Sequence, residues 1–357
     1  MENSFSSQES NIDGYELRDG YVRRPDVKAV SILFSISVFL FAFIGSRVQQ
    51  AEFYSGILIT EFIIIMCPPL ILLLMYKYDI RKVLRLNKIG LLNLFLIFCI
   101  MIFALPLVGI VNAANLMLIK YIFGSIDIMQ PPIATDTIGL LVNVFVIGMS
   151  PAICEEVLFR GTIQRGFERF GTVKAILGAS LLFGMMHFDF QKLLGTFLLG
   201  ALIGFIVYRT NSLFGGMMAH FTNNSLAVVI TYFSYRFMEF AKSSGIQGAD
   251  ASNDVDRYMS NLAAIPKVQL VGVIIGFAFI FFVCLSVFIG LMVGLVKNTS
   301  VRATSSPLMA LESKKSHALW LVPGAALIGL IYFATGLKLT GGSIQWVNSV
   351  LQFIGLR

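Results

Sequence analysis

Long runs of apolar residues, separated by short basic loops, constrain the fold of this chain more than any other feature of its sequence. The chain is 57% hydrophobic and only 13% charged, whereas soluble domains are about 45–50% apolar and about 25% charged. A membrane-spanning helix needs about 20 apolar residues, because the backbone must satisfy its own hydrogen bonds in lipid. We therefore predict an all-α, polytopic transmembrane bundle with eight or nine spanning helices. They are expected at 29–46, 54–76, 90–118, 137–160, 173–188, 193–208, 213–235, 267–296 and 318–338.

The formal net charge of +7 comes from Lys and Arg residues that cluster in the loops between these runs. The basic loops 77–88, 160–174 and 297–316 are expected in the cytoplasm, as the positive-inside rule requires. The alternate loops, 119–136 and 236–266, have mixed charge and are expected on the outer side. This distribution indicates membrane topology and membrane lipids as partners, and no nucleic-acid partner is expected.

The two ends of the chain differ in character. Residues 1–27 are polar and of mixed charge, which predicts a disordered cytoplasmic tail ahead of N-terminal transmembrane helices in 28–136. A polar extracytoplasmic loop is expected at 236–266, followed by the C-terminal helices in 267–357. The last stretch, 340–357, is amphipathic and is expected to lie at the membrane interface.

A small set of polar groups interrupts the apolar runs. Charged groups at membrane depth are costly and usually mark a functional site. Three separate predicted helices carry such groups, so a purely structural explanation would have to hold three times. The residues are Glu155, Glu156, Arg160, His187, His220 and Asn224.

Helix geometry assigns different roles to the two adjacent glutamates. Residues four apart share a helix face, so Glu156 and Arg160 are expected to form a buried ion pair that orients the site. Glu155 lies about 100° away around the helix and can face a cavity as a general base. His220 and Asn224 are also four apart and share a face.

Two chemistries remain open for this set. Carboxylate and imidazole groups are typical ligands of catalytic zinc, so Glu155, His187 and His220 could hold Zn²⁺ or another divalent metal. Alternatively, Glu155 could activate water without a metal, with the histidines as electrostatic partners. The chain has no HExxH, GxSxG or GxGD motif, which argues against the usual zinc, serine and diaspartyl protease signatures.

The order of the motifs resembles a known family. Glu155-Glu156-x-x-x-Arg160, then Phe183-x-x-x-His187, then His220-x-x-x-Asn224 is similar to the three-motif signature of the CAAX-processing and bacteriocin-processing intramembrane proteases, the CPBP or Abi family. That family includes enzymes of the type II CAAX prenyl endopeptidase kind. The resemblance covers roughly 137–235, which is therefore expected to be the catalytic core.

The resemblance implies an intramembrane endopeptidase, either a metalloenzyme or a glutamate-type enzyme, whose cavity opens toward the cytosol. The position of Glu155 would activate water and those of Glu156 and Arg160 would support it. Those of His187, His220 and Asn224 would complete the site and contact the oxyanion, in line with the sequence-derived candidates. The expected substrates are membrane-anchored or hydrophobic proteins and peptides, of the CAAX or bacteriocin-processing type, in a multi-pass protein of the bacterial plasma membrane.

Some alternatives stay open at this point. A non-catalytic immunity factor, scaffold or transporter could keep the same polar cluster for binding. Glu61, a further carboxylate within the second run, has no obvious partner. His187 would lie far deeper than Glu155 unless the fourth helix continues past Arg160 or the fifth begins later than 173.

Overall fold

The computed structural model describes residues 23–127, 131–244, 266–299, 315–341 and 345–353. The described residues are helical, with no β-strand among them. We number the helices in chain order. They are α1 (Val27–Ala51), α2 (Phe53–Met75), α3 (Ile80–Val83), α4 (Leu91–Phe123), α5 (Thr137–Phe170), α6 (Thr172–Met185), α7 (Phe190–Thr210), α8 (Leu213–Ser243), α9 (Lys267–Asn298), α10 (Val322–Leu339) and α11 (Gln345–Phe353).

Within these described segments, seven helices are long and apolar enough to cross a membrane: α1, α2, α4, α5, α7, α9 and α10. The chain is thus an integral membrane protein with a polytopic helical bundle. The other two predicted spans correspond to α6, which is only 14 residues long, and α8. His187 lies two residues after the end of α6, and α8 carries His220.

Several loops are shorter than the apolar pattern predicts. Helix α5 continues to Phe170, ten residues past Arg160, which is the first of the two arrangements that would bring the glutamates to the depth of His187. Helix α8 continues to Ser243, into the predicted loop 236–266, since Phe237 and Phe240 extend its apolar surface. The predictions for residues 1–22, 245–265, 300–314 and 354–357 concern segments outside the described residues.

Capping groups explain where the helices around the site begin and end. Asp136 accepts a hydrogen bond from the Gly139 N–H at 2.7 Å and so caps the start of α5. Asp189 caps α7 in the same way through Gln191. Gly171, at φ +97°, makes the one-residue break between α5 and α6 in a conformation that other residues rarely adopt.

Helix α5 lies at the centre of the bundle. It packs against α2, α6 and α8, while α7 packs against α6 and α8. The largest apolar core joins α1, α5, α6 and α10 around residues such as Phe34, Phe159 and Phe183. Helix α9 packs against α4 at the periphery and is largely exposed, as a lipid-facing helix would be. The polar residues of α5, α6 and α8 therefore face one another inside the protein.

Candidate active site

A buried ion pair on α5 anchors the site. Arg160 Nη1 donates to Glu156 Oε1 at 2.8 Å, and the two side chains are 1% and 0% exposed. The guanidinium also donates from Nη2 to the Gly200 carbonyl of α7 at 3.1 Å and lies over the Phe183 ring, 4.4 Å from its centroid. The predicted Glu156–Arg160 pair is confirmed, and it links three helices.

Glu155 points away from this pair, as the helix geometry predicts. Its side chain is 17% exposed, and its Oε2 lies 3.7 Å from Nε2 of His220. That separation is too long for a direct hydrogen bond. Its buried Oε2 has no hydrogen-bond partner in the protein. Glu155 is therefore the more accessible of the two carboxylates and the one able to exchange a proton with bound water.

His220 links the two glutamates. Its Nδ1 lies 3.0 Å from Glu156 Oε1, and since an ionised carboxylate only accepts hydrogen bonds, Nδ1 carries the proton in this contact. The other ring nitrogen, Nε2, then faces Glu155. At 2% exposed, the ring is fixed by Glu156, which is itself held by Arg160.

His187 reaches the same region through Phe183 and is half-buried just beyond the end of α6. Its Nδ1 lies 3.0 Å from the Phe183 carbonyl oxygen, so Nδ1–H donates and Nε2 is left as an acceptor in the neutral ring. The Phe183 ring packs edge-on against His187, with centroids 5.1 Å apart, and against His220 at 5.7 Å. Phe183 therefore positions both imidazoles as well as the guanidinium.

Asn224 lies one turn after His220 on α8. Its side-chain amide donates to the Ile147 carbonyl of α5 at 3.2 Å and accepts from Asn223 at 3.0 Å. One of its two amide N–H groups is thus committed to holding α8 against α5, and the other remains for a ligand.

A glycine on α8 allows the helices to approach this closely. A Cβ at Gly216 would lie 2.8 Å from Glu156 Oε2 and 2.5 Å from Val207 Cγ2. The same position gives α8 its contact with α7 and lets His220, one turn later, reach Glu156. In the sequence, only the small size of Gly216 indicates that it allows close packing of helices.

Glu61 is the residue that sequence reasoning left without a partner. It lies in a π-helical turn of α2, Thr60–Met66, which packs against the part of α5 that holds the glutamates. It is 6% exposed, and its Oε2 has no hydrogen-bond partner. The structure therefore adds a third carboxylate to this wall of the site.

The described residues do not form a metal centre as they are arranged. No group of three or more His, Cys, Asp or Glu side chains within them is placed to hold a metal ion. His220 Nδ1 is engaged by Glu156 and His187 Nδ1 by a main-chain carbonyl, which leaves Nε2 of each ring as the nitrogen that could bind a metal. The predicted ligands Glu155, His187 and His220 are not brought together as a group of three in the described part of the chain, so we derive no step through a metal.

The fold and these contacts define a class: a polytopic helical membrane protein with a buried carboxylate–imidazole site. Residues 137–226 match the family model described as type II CAAX prenyl endopeptidase Rce1-like. The matched region is about a quarter of the chain, and it coincides with the region in which the three motifs resemble this family. No curated protein and no solved structure gives a significant match to the chain.

Proposed function

We propose that this protein is an intramembrane endopeptidase in which Glu155 activates water for attack on a peptide bond. The observation that carries the proposal is the difference in burial and contacts between the two adjacent glutamates. Glu156 is fully buried and its Oε1 is held by Arg160 and His220, whereas Glu155 is 17% exposed and has no contact as short as these. Each of the two carboxylates has one oxygen without a hydrogen-bond partner. If the Glu156–Arg160 pair had only a structural role, it would not need the carboxylate of Glu155 beside it.

The reaction follows from these positions. Glu155 takes a proton from water while the water oxygen attacks the scissile carbonyl carbon. His187, whose free Nε2 accepts a hydrogen bond, orients that water, and the free N–H of Asn224 donates to the oxyanion that forms. Glu155 then gives the proton to the leaving amine as the C–N bond breaks. His220 and the Glu156–Arg160 pair hold Glu155 in place throughout.

The substrates we propose are membrane-anchored or hydrophobic proteins and peptides, of the CAAX or bacteriocin-processing type, cleaved close to the membrane surface. The protein would lie in a bacterial plasma membrane, with its basic loops in the cytoplasm and its cavity reached from that side or from the inner leaflet. The family match and the apolar helices support this setting.

The test is cleavage of prenylated and non-prenylated CAAX peptides by the full chain in proteoliposomes. Glu155→Gln should lower the rate about 10²–10⁴-fold, the usual contribution of general acid–base catalysis. Glu239→Gln makes the same change at a half-exposed glutamate of α8 and should leave the rate unchanged. A Glu155→Gln protein that folds and cleaves normally would rule out this mechanism. If the wild-type protein cleaves no peptide, and Glu155→Gln still binds the peptides as the wild-type protein does, the non-catalytic alternative is favoured.

A chelator tests the metal question separately. The mechanism we propose uses no metal, so it predicts that cleavage survives prolonged treatment with EDTA and phenanthroline. Loss of activity that zinc restores would show that ligands rearrange to hold a metal.

A further inference from the structure

A second cluster of buried charge lies near the end of α5, where the adjoining loops are rich in Lys and Arg. Glu168, which is 8% exposed, forms ion pairs with three guanidiniums and accepts a hydrogen bond from one of them, that of Arg165. Its carboxylate lies 3.1 Å from Arg24, 2.8 Å from Arg85 and 2.5 Å from Arg165. These arginines come from the segment before α1, the loop between α3 and α4, and α5 itself. We refer to these four residues as the arginine cluster.

The charges of this cluster do not balance. The two most deeply buried guanidiniums, those of Arg85 and Arg165, face the single carboxylate of Glu168, an excess of one positive charge in a largely buried place. The two other carboxylates nearby serve as helix caps. Asp26 accepts from the Ala29 N–H at 2.7 Å, and Asp79 accepts from Lys82 N–H at 3.1 Å and also pairs with its ammonium.

One donor in the cluster has nothing to donate to. Arg85 is 4% exposed. Its Nε donates to Asn211 Oδ1 at 2.9 Å and its Nη2 pairs with Glu168. Its Nη1 is buried without a hydrogen-bond partner. A buried charged donor without an acceptor is costly, so the arrangement calls for an anion at this atom.

We propose that the arginine cluster binds a phosphate group, carried by an anionic phospholipid headgroup or present as free phosphate. Guanidiniums match phosphate oxygens in geometry and in charge, and a phosphate oxygen would give Arg85 Nη1 the acceptor that it lacks. The group would enter beside Arg24, whose side chain is 17% exposed and forms the outer edge of the cluster. Basic pockets between transmembrane helices at a membrane surface are suited to lipid headgroups. The proposal does not depend on the peptidase activity.

Thermal unfolding of the full chain in nanodiscs tests this proposal with two probes at constant ionic strength. One probe is phosphatidylglycerol in place of phosphatidylcholine; the other is inorganic phosphate added to phosphatidylcholine discs. At least one should raise the unfolding temperature by a few degrees, because ligand binding to the folded state stabilises it. A rise with the lipid alone identifies a headgroup, and a rise with phosphate alone identifies the free anion.

Variants distinguish phosphate binding in the arginine cluster from nonspecific attraction of anions to the basic loops. Arg85→Gln and Arg24→Gln should lose most of the rise, and Arg24→Gln serves if Arg85→Gln does not fold, since Arg24 lies at the edge. Arg81→Gln removes the same charge from an exposed position of α3 and should keep the rise. The proposal is overturned if neither probe shifts the wild-type protein, or if Arg81→Gln loses as much as the two cluster variants.

Discussion

Helix α5 carries two buried charge clusters of opposite sign, centred on glutamates about 18 Å apart along its axis. Around Glu156, two adjacent carboxylates share one guanidinium and one imidazole. Around Glu168, one carboxylate serves three guanidiniums. The first cluster is left with carboxylate oxygens that lack hydrogen-bond partners. In the second cluster, Glu168 Oε1 also lacks a hydrogen bond but lies 2.8 Å from Arg85 Nη2, so Arg85 Nη1 is the group left without a partner.

The comparison shows that burial alone does not distinguish a working site from a structural one. Both clusters are buried and both join helices distant in sequence. What differs is the kind of group that stays unsatisfied: a carboxylate can accept a proton from water, whereas a guanidinium can only hold an anion. The following predictions test that difference, from the largest expected effect to the smallest.

Removing the cation of the first cluster should have the largest effect on stability. Arg160→Ala strands the buried Glu156 carboxylate and should cost about 3–5 kcal/mol of folding stability, as well as activity. The measurement is folded yield by size-exclusion chromatography together with thermal unfolding. The double variant Glu156→Gln/Arg160→Met removes both charges and should recover yield without recovering cleavage. Normal yield and activity in Arg160→Ala would contradict the role of this pair.

Removing the carboxylate of the second cluster should have a smaller effect. Glu168→Gln leaves three guanidiniums without their shared anion and should cost about 1.5–3 kcal/mol, the range for hydrogen bonds to charged groups. The partly exposed edge at Arg24 lets water offset part of the loss. Thermal unfolding in phosphatidylcholine nanodiscs measures it, with Glu239→Gln as the control. An unchanged unfolding temperature would mean that Glu168 does not hold the arginines together.

The importance of the close approach of α8 to Glu156 can be tested by adding a single methyl group at Gly216. Gly216→Ala places a Cβ against Glu156 and Val207 and should cost about 1–3 kcal/mol by overpacking, while reducing cleavage because His220 moves with α8. Gly290→Ala on α9 is the matched control, because a Cβ there meets nothing within 4 Å. Equal effects of the two substitutions on activity would show that the packing at Gly216 does not position the site.

The sequence predicted the helices well because lipid imposes one strong rule on the backbone. Most predicted helices lie within a few residues of those found, and the Glu156–Arg160 pair followed from their spacing. The rule fails where protein replaces lipid as the surroundings. Helix α5 continues past Arg160 because Arg165 and Glu168 are satisfied by other parts of the protein, so their charge does not mark a helix end.

Contacts between distant segments could not be predicted from one sequence. Gly200 accepts from Arg160 through its backbone carbonyl, which no side chain signals. Arg85 meets Glu168 across 83 positions of the sequence. The positive-inside pattern explains why Lys and Arg gather in these loops but cannot indicate which of them are buried around one carboxylate.

The smallest expected effect comes from the start of the helix that both clusters share. Asp136→Ala removes the cap on α5 and should cost about 1 kcal/mol, while Asp136→Asn should cost less because asparagine caps equally well. The cap is exposed and lies about five turns before the glutamates, so neither the rate of peptide cleavage nor the phosphate-dependent rise should change much. Thermal unfolding and cleavage in the same nanodiscs measure both. If Asp136→Ala abolishes one function and spares the other, the two clusters do not depend on α5 as a common rigid support.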